Sequence, residues 1–390
     1  MPLPPAQPQN FRDRFQQLPK GVQAGIFLAL VLIIAFAPIV FGKSEAEIFS
    51  NSALILMTSV AMYAIAALGL NIVTGYTGQL NLGFCGFMAI GAYTTGLLMK
   101  HGLPGEGTLL TNPWAFYAAI PVAFFHAGIW GVLLGIPTLK LSGDYFAIVT
   151  FGFGELTMLT AKNWDSVTGG AQGLKDIPWA TLAIPFTDTV IALGDRKPMW
   201  VLAVAMLSIA YALSWRVVHS RVGLAWRAIA EDEIAAQSCG IDLSVYKSLA
   251  FFLSAGLGGL AGSLLPLIYG GVYVDNFTFL FSVYVLAYVV LGGMGSFTGA
   301  FAGSLILITT LQVLRIGIER ANAHWDINID PELRMMVYGI LLIVVVRLRP
   351  EGLFPSRRVA AELNPETQAI AEAEDVSIFE INNPTAGRLQ

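Results

Sequence analysis

Residues 51–99 read NSALILMTSVAMYAIAALGLNIVTGYTGQLNLGFCGFMAIGAYTTGLLM, and this stretch decides the fold. Residues 51–70 and 82–99 are apolar runs without a charged side chain, and a membrane-spanning helix needs about 20 mostly apolar residues. The polar, glycine-rich sequence GYTGQLNLG at 75–83 separates the two runs. Transmembrane β-strands would need alternating segments about half as long, so the pattern predicts two membrane helices with a break between them.

The composition of the whole chain supports a membrane protein. Of its 390 residues 55% are hydrophobic and only 12% are charged, and the mean hydropathy is +0.67. A soluble domain carries about twice that charge, so a cytosolic enzyme, a disordered protein and a secreted disulfide scaffold are excluded. The net charge of −4 offers no basic field for nucleic acid, and two cysteines, Cys85 and Cys239, are too few for a cysteine-based metal site.

About ten apolar runs along the chain are long enough to span a bilayer. The sequence therefore predicts an all-α, polytopic helical bundle with spans at 21–41, 51–70, 82–99, 114–136, 144–161, 198–215, 248–268, 278–294, 297–314 and 333–347. Only a glycine-rich break parts 278–294 from 297–314, so either run could be broken or re-entrant. Spans two to five and seven to ten would have opposite topology, which suggests an inverted repeat.

Basic residues indicate the orientation. They precede the first span, follow the last span and recur within residues 216–247, and a ten-span chain places all three regions on one side of the membrane. Cytoplasmic loops carry an excess of lysine and arginine, so this side is expected to be the cytoplasmic one. We therefore expect residues 1–20 and 349–390 to be cytoplasmic tails. The transmembrane domain is expected at 21–348, with a cytoplasmic loop at 216–247 and an acidic external loop at 162–197.

Polar side chains interrupt the apolar runs at two places. Thr77, Gln79 and Asn81 lie in the break, which could line a transport path or could be a plain cytoplasmic turn. Glu155 lies within an apolar span, where a carboxylate is costly and usually faces a cavity or a partner. It could contact a substrate amine or carry a proton, or it could be a structural group bonded to helix ends or to Lys162.

Residues 216–247 contain a short amphipathic helix. Leu224, Ile229 and Ile234 give it a small apolar face, charged residues occupy the other face, and Gly240 is placed as a C-terminal stop. Such a helix can dock in a groove of another protein. It lacks the basic face expected of a helix that lies on lipid, so docking is favoured.

The remaining motifs indicate packing. Glycines at four-residue spacing favour close helix contacts, and they are Gly258, Gly262, Gly295, Gly299 and Gly303. The sequence APIVFGKS at 37–44 fits a relaxed phosphate loop but ends a membrane span, so we expect no nucleotide there. No constellation of catalytic or metal-ligating residues is present, so the chain is expected to need no metal and no cofactor of its own.

Several segments together resemble the permeases of ABC importers for branched-chain and other neutral amino acids, the M-type permease above all. They are LGLNIVTGYTGQLNLG at 68–83, SGDYFAIVTFGFGE at 142–155, TGGAQG at 168–173, the loop at 221–240, LGGMGS at 291–296 and RPEGLF at 349–354. The resemblance covers residues 51–354. Phe84, where the family often has His, departs from the pattern.

The resemblance implies a transport complex in the inner membrane. Its other members would be a second related permease, two cytoplasmic subunits that bind ATP and Mg, and an extracytoplasmic substrate-binding protein. The residues that would couple to the ATPase are Arg221, Gly223, Trp226, Arg227, Ala228, Glu231, Asp232, Ala235 and Gly240.

Three alternatives remain at this point. The substrate could be urea, a short amide or a sugar instead of an amino acid. The chain could be an ion-coupled secondary transporter that uses Glu155, or a membrane enzyme, although the missing catalytic constellations oppose the last of these.

Overall fold

The computed structural model describes residues 51–101, 114–138, 141, 143–178, 181–183, 190–192, 195–325, 336, 339, 340, 343, 344, 347 and 352–354. The expected first span at 21–41, the N-terminal tail and the chain beyond residue 354 lie outside this part, as does most of 333–347.

The described chain is built almost entirely of helices. In chain order they are α1 Asn51–Asn71, α2 Phe84–His101, α3 Trp114–Thr138, α4 Asp144–Asn163, α5 Asp165–Thr168, α6 Arg196–Val218, α7 Arg221–Glu231, α8 Glu233–Ser238, α9 Leu243–Gly262, α10 Leu265–Tyr269, α11 Phe279–Gly292 and α12 Phe297–Trp325. Two 3-10 turns, Gly170–Gln172 and Val274–Phe277, lie in the connections.

A short antiparallel strand pair lies in the expected external loop. Strand β1, Thr181–Ala183, pairs with β2, Val190–Ala192, so that Leu182 is opposite Ile191. In the same region Leu174 and Val272 exchange both of their backbone hydrogen bonds, at 2.8 and 2.9 Å. This bridge joins residues 162–197 to the segment after α10.

The prediction of membrane-spanning helices is confirmed. Within the described residues, five segments are long and apolar enough to cross a bilayer: Leu54–Tyr76, Tyr117–Thr138, Arg196–Val218, Leu243–Tyr269 and Phe297–Arg315. Helices α2 and α4 also match predicted spans, but they are not among these five segments. Helix α11 is apolar but has only 14 residues, about 21 Å of helix, which is shorter than a hydrocarbon core of about 30 Å.

The centre of the bundle is formed by α1, α2, α9 and α11. Tyr63 of α1 stacks on Phe281 of α11, with ring centroids 5.4 Å apart. Helix α2 crosses α9 so closely that a Cβ at Gly91 would overlap the backbone of Gly259, and one at Gly262 would overlap the carbonyl oxygen of Met88. A Cβ at Gly258 would touch Phe84 and Phe87, at 3.1 Å from each. Small residues therefore let these helices approach almost backbone to backbone.

Helices α11 and α12 form a tight hairpin. A Cβ at Gly299 would meet the carbonyl of Gly292, and one at Gly303 would meet that of Tyr288. The glycine break between the two predicted spans is thus a turn, in which Gly293 and Gly295 have φ of 115° and 73°. Gly295 precedes α12, so it belongs to this turn and not to the packed helix face predicted for it.

Candidate functional site

The break after α1 begins as a π turn, Ile72–Tyr76, and continues as a non-helical segment to Gly83. The backbone N–H groups of Thr77 and Gln79 both donate to the carbonyl of Val73, each at 3.2 Å. π turns are rare and occur frequently at functional sites. The predicted break is therefore present, and it adopts an uncommon backbone conformation.

The side chain of Asn71 joins this break to the α11–α12 turn. Its Oδ1 accepts from the N–H of Gly295 at 2.9 Å, and its Nδ2 donates to the carbonyl of Ser296 at 3.2 Å. Asn71 is completely buried, and a Cβ at Gly75 would overlap Asn71 Oδ1. The glycine therefore makes room for the amide that links two segments far apart in sequence.

The end of the break lies against α4. The N–H of Leu82 donates to Thr150 Oγ1 at 3.1 Å, and the N–H of Gly83 donates to Asn81 Oδ1 at 3.0 Å. A Cβ at Gly83 would overlap the carbonyl of Thr150. At the start of α2, the N–H of Cys85 donates to Ser282 Oγ of α11 at 2.9 Å. The end of the break is thus enclosed by three helices.

The path candidates in the break differ in what their polar atoms do. The hydroxyl of Thr77 donates to the carbonyl of Val73 at 2.7 Å, so it is satisfied within the turn. Gln79 Oε1 and Asn81 Nδ2 are buried and have no hydrogen-bond partner among the described residues. A buried polar atom without a partner is costly, so these two atoms could form a hydrogen bond with a ligand or water, Gln79 Oε1 as acceptor and Asn81 Nδ2 as donor.

Glu155 lies on the exposed side of α4 and is half-buried. Phe151, one turn earlier, contacts the ring of Phe279 at 4.8 Å between centroids, and the neighbouring Gly154 faces Cys85. Within the described residues Glu155 forms no ion pair, so it is not paired with Lys162 there. Among the described residues, no hydrogen bond or ion pair joins Glu155 to Thr77, Gln79 or Asn81.

The loop between α6 and α9 folds into two short helices. Ser220 Oγ accepts from the N–H of Val222 at the start of α7, and Asp232 Oδ1 accepts from the N–H groups of Ile234 and Ala235 at 2.7 and 2.9 Å. Asp232 is extended, with φ −155°, so it ends α7 and caps α8. Gly240 has φ +83° and follows α8 as the predicted stop.

One face of α7 is fixed to the membrane domain. Trp226 is fully buried, and its Nε1 donates to the carbonyl of Tyr246 in α9 at 2.7 Å. A Cβ at Gly223 would overlap the backbone of Val218 at the end of α6. Trp226 and Gly223, both predicted coupling residues, therefore hold α7 in place and do not face outward.

The opposite face of α7–α8 is open. Leu224 is 61% exposed and Ile234 is 79% exposed, and Ala235, Glu231 and Arg221 are exposed beside them. The predicted apolar face is thus divided, since Ile229 is buried against the domain while Leu224 and Ile234 point away from it. We call the exposed residues Arg221, Leu224, Arg227, Glu231, Ile234 and Ala235, together with the half-buried Ala228, the outer face.

A buried lysine ties α8 to α9. Lys247 is 1% exposed, and its Nζ lies 2.7 Å from Glu233 Oε2, which belongs to a side chain that is 41% exposed. A buried ammonium without a partner carries a large desolvation cost, so this ion pair fixes the start of α8.

Helix α7 also contacts the break itself. The guanidinium of Arg227 lies 5.7 Å from the ring centroid of Tyr76, and Ala230 is the nearest neighbour of Gly78. Nearby, the N–H groups of Leu353 and Phe354 donate to the carbonyls of Leu291 and Gly292 at 2.8 and 2.9 Å. Four motifs distant in sequence therefore meet in one place, which we call the junction: the π turn, α7, the α11–α12 turn and residues 352–354.

Sequence reasoning missed three residues of this region as site residues. Asn71 and Tyr76 belong to the motif at 68–83, but nothing in the sequence pairs them with Gly295 or Arg227. Lys247 lies at the end of the basic loop 216–247, and a lysine in the first turns of an apolar helix, with acidic residues before it, is a signal for a buried ion pair.

Comparison with known proteins identifies the class. Residues 52–346 match the family described as "Branched-chain amino acid transport system / permease component". This is well over half of the chain, so the chain belongs to that family of membrane permeases.

Named relatives agree with this family. The chain is 34% identical to the high-affinity branched-chain amino acid transport system permease protein LivM of Escherichia coli (strain K12), over 88% of this chain and 77% of that protein. It is 28% identical to the LivH permease protein of the same organism and 25% identical to a probable LivM of Methanocaldococcus jannaschii, each over 76% of this chain and 92% of the relative. No solved structure matches the chain.

Proposed function

We propose that the chain is the permease subunit of an ATP-driven importer for branched-chain or other neutral amino acids. The observation that carries this proposal is the junction, because it places an exposed helix directly against the break that holds two buried amide atoms without a hydrogen-bond partner among the described residues, Gln79 Oε1 and Asn81 Nδ2. Family membership supports the substrate class. The chain itself would bind no nucleotide, and ATP and Mg would be held by two cytoplasmic partner subunits.

The outer face is the proposed contact with those subunits. Leu224 and Ile234 are large apolar side chains on a surface outside the spans, with Arg221 and Glu231 beside them. An apolar centre with a charged rim is the usual composition of a protein interface. Because Trp226 and Lys247 fix α7 and α8 to α9, a partner that displaces the outer face would also displace the membrane domain.

A second related permease subunit is proposed to cover part of α4. Tyr145, Ile148 and Leu156 are exposed along this helix, and Glu155 lies among them. A carboxylate facing hydrocarbon would be costly, so water or protein must cover this face. We infer that the transport path runs beside α4, where Glu155 and Asn81 can both contribute polar groups.

The arrangement of helices supports an inverted repeat. The series α1, break, α2, α3 resembles the series α9, connection 263–278, α11, α12, since each is a long helix, a connection and then two further helices; the second connection includes the short helix α10. In this comparison α1 corresponds to α9, and α2 corresponds to α11. The contact of α2 with α9, at Gly91 and Gly259, therefore has its counterpart in the contact of α11 with α1, at Tyr288 and Tyr63. Ten spans in an inner membrane, both termini in the cytoplasm and an external loop that meets a substrate-binding protein belong to the same proposal.

Reconstitution tests the proposed function. The purified chain, its permease partner and the ATP-binding subunits are placed in proteoliposomes, and uptake of radiolabelled leucine is measured with the substrate-binding protein. We expect uptake only with ATP and with every subunit present. Uptake of urea or a sugar in place of amino acids would overturn the substrate class.

Glu155 gives a second candidate function, ion-coupled transport, because it is a half-buried carboxylate without an ion pair among the described residues. The two functions separate cleanly in the same vesicles. Ion coupling predicts uptake by this chain alone, driven by a proton or sodium gradient and abolished by Glu155→Gln. ATP-driven import predicts no uptake by this chain alone under any gradient.

A further inference from the structure

The ring of Tyr76 contacts both α7 and α12. The guanidinium of Arg227 in α7 is 5.7 Å from its centroid, and the ring of Phe297 at the start of α12 stacks on it at 5.4 Å with an interplanar angle of 28°. Tyr76 is only 6% exposed, so it cannot itself touch a docked subunit. Arg227 is exposed on the outer face and can be reached by one.

The same turn is anchored at its other end. Asn71, immediately before the π turn, is held by two hydrogen bonds to Gly295 and Ser296. The π turn Ile72–Tyr76 therefore lies between a fixed end at Asn71 and an end in contact with α7. Gln79 and Asn81 follow this second end directly, with Gly78 against Ala230.

Backbone geometry makes the turn a natural point of movement. A π turn holds one residue more than an α-helical turn needs. If α7 moves and the turn tightens to α-helix, the residues after it rotate by about 100° and shift by about 1.5 Å. Such a change would turn the Gln79 and Asn81 amides relative to α4 without moving Asn71.

We infer that Tyr76 and Arg227 are positioning residues of the transport cycle. Their contact transmits displacement of α7 to the π turn. It thereby sets the orientation of the Gln79 and Asn81 side chains, whose Oε1 and Nδ2 atoms have no hydrogen-bond partner among the described residues. The inference rests on the proposed function and deepens it, since it identifies the residues through which ATP-driven movement reaches the substrate path. Neither residue is assigned a contact with substrate.

Reconstituted transporter tests this inference with three variants and a control. Tyr76→Phe keeps the ring, Tyr76→Leu removes it, and Arg227→Gln removes the cation. Arg216→Gln is the matched control, because Arg216 is an exposed arginine on α6 with no hydrogen bond or ring contact among the described residues. The measured quantities are co-purification of the ATP-binding subunits and leucine taken up per ATP hydrolysed.

Loss of coupling without loss of assembly is the expected result. Tyr76→Leu should retain the ATP-binding subunits but lower uptake per ATP by about threefold to tenfold, the factor that a cation–π contact of this kind is worth. Tyr76→Phe should keep the wild-type uptake per ATP, because it keeps the ring. Arg227→Gln should lower uptake per ATP as much as Tyr76→Leu does. The double variant, Tyr76→Leu with Arg227→Gln, should show an uptake per ATP no lower than that of either single variant. Arg216→Gln should behave as the wild type.

Several results would overturn the inference. Wild-type uptake per ATP in Arg227→Gln would do so even if Tyr76→Leu failed to fold, since Arg227 is exposed. Losses that multiply in the double variant would show that the two residues act separately, and loss of the ATP-binding subunits in Arg227→Gln would make Arg227 a docking residue instead. Failure of the proposed function is distinct, because the wild type would then show no ATP-dependent uptake.

Discussion

Asn71 offers the sharpest stability prediction, because its amide joins the break to the α11–α12 turn by two hydrogen bonds. Asn71→Leu keeps the size of the side chain but removes both bonds, which leaves the half-buried N–H of Gly295 without its partner, while the carbonyl of Ser296 still accepts from the N–H of Ala300. One unsatisfied group of this kind costs about 1–3 kcal/mol, so the substitution should cost about 1–3 kcal/mol. Water cannot easily repair the loss, since Asn71 is fully buried and a Cβ at Gly75 would already overlap Asn71 Oδ1.

The assay for Asn71→Leu is thermal unfolding of the detergent-purified chain, followed by loss of the monodisperse peak after heating. Asn163→Leu is the matched control, since Asn163 is an exposed asparagine near the end of α4 with one side-chain hydrogen bond to Leu159. We expect a midpoint several degrees lower for Asn71→Leu and one near the wild type for the control. Equal midpoints for the two variants would refute the structural role assigned to Asn71.

Two further predictions concern packing and buried charge. Gly262→Ala places a Cβ against the Met88 carbonyl and should destabilise the α2–α9 contact by about 1–3 kcal/mol. Gly152→Ala, with open space around it, is the control and should leave the midpoint of the same heating assay unchanged or slightly raised. A lower midpoint for Gly152→Ala than for Gly262→Ala would contradict the packing argument. Glu233→Gln leaves the buried Lys247 ammonium unpaired, so its midpoint should fall further than that of Lys247→Met, which removes the charge that needs a partner. A midpoint for Glu233→Gln equal to that of the wild type would show that the ion pair does not hold α8.

Much of the fold could be predicted because lipid imposes strong rules on sequence. A long apolar run must be helical in a bilayer, so most helices from Asn51 onward lie within a few residues of the predicted spans. The exceptions are α12, which continues to Trp325 instead of ending at residue 314, and the span predicted at 248–268, which is divided into α9 and α10. The break at 75–83 and the stop at Gly240 were also visible, since glycine density and placement mark them. Close packing at Gly258 and Gly262 agrees with the predicted spacing.

Other features depend on contacts that no local pattern contains. Asn71 and Ser296 are 225 residues apart, and one sequence offers no reason to pair them. The single amphipathic helix expected in the loop became two, because Asp232 can cap the second helix only by leaving the first. The apolar face is divided for a related reason: Ile229 is 2% exposed, while Leu224 and Ile234 are exposed at 61% and 79%.

The central claim is that the outer face binds an ATP-binding subunit, and Ala228→Asp tests it most directly. Ala228 lies half-buried on the outer face between Leu224 and Glu231, so a carboxylate there adds charge to the proposed interface. Ala171→Asp, an equal change at an exposed alanine in the 3-10 turn Gly170–Gln172, is the control. The account predicts that Ala228→Asp loses both co-purification of the ATP-binding subunits and ATP-dependent leucine uptake, while Ala171→Asp keeps the subunits. Retention of both by Ala228→Asp would contradict the claim.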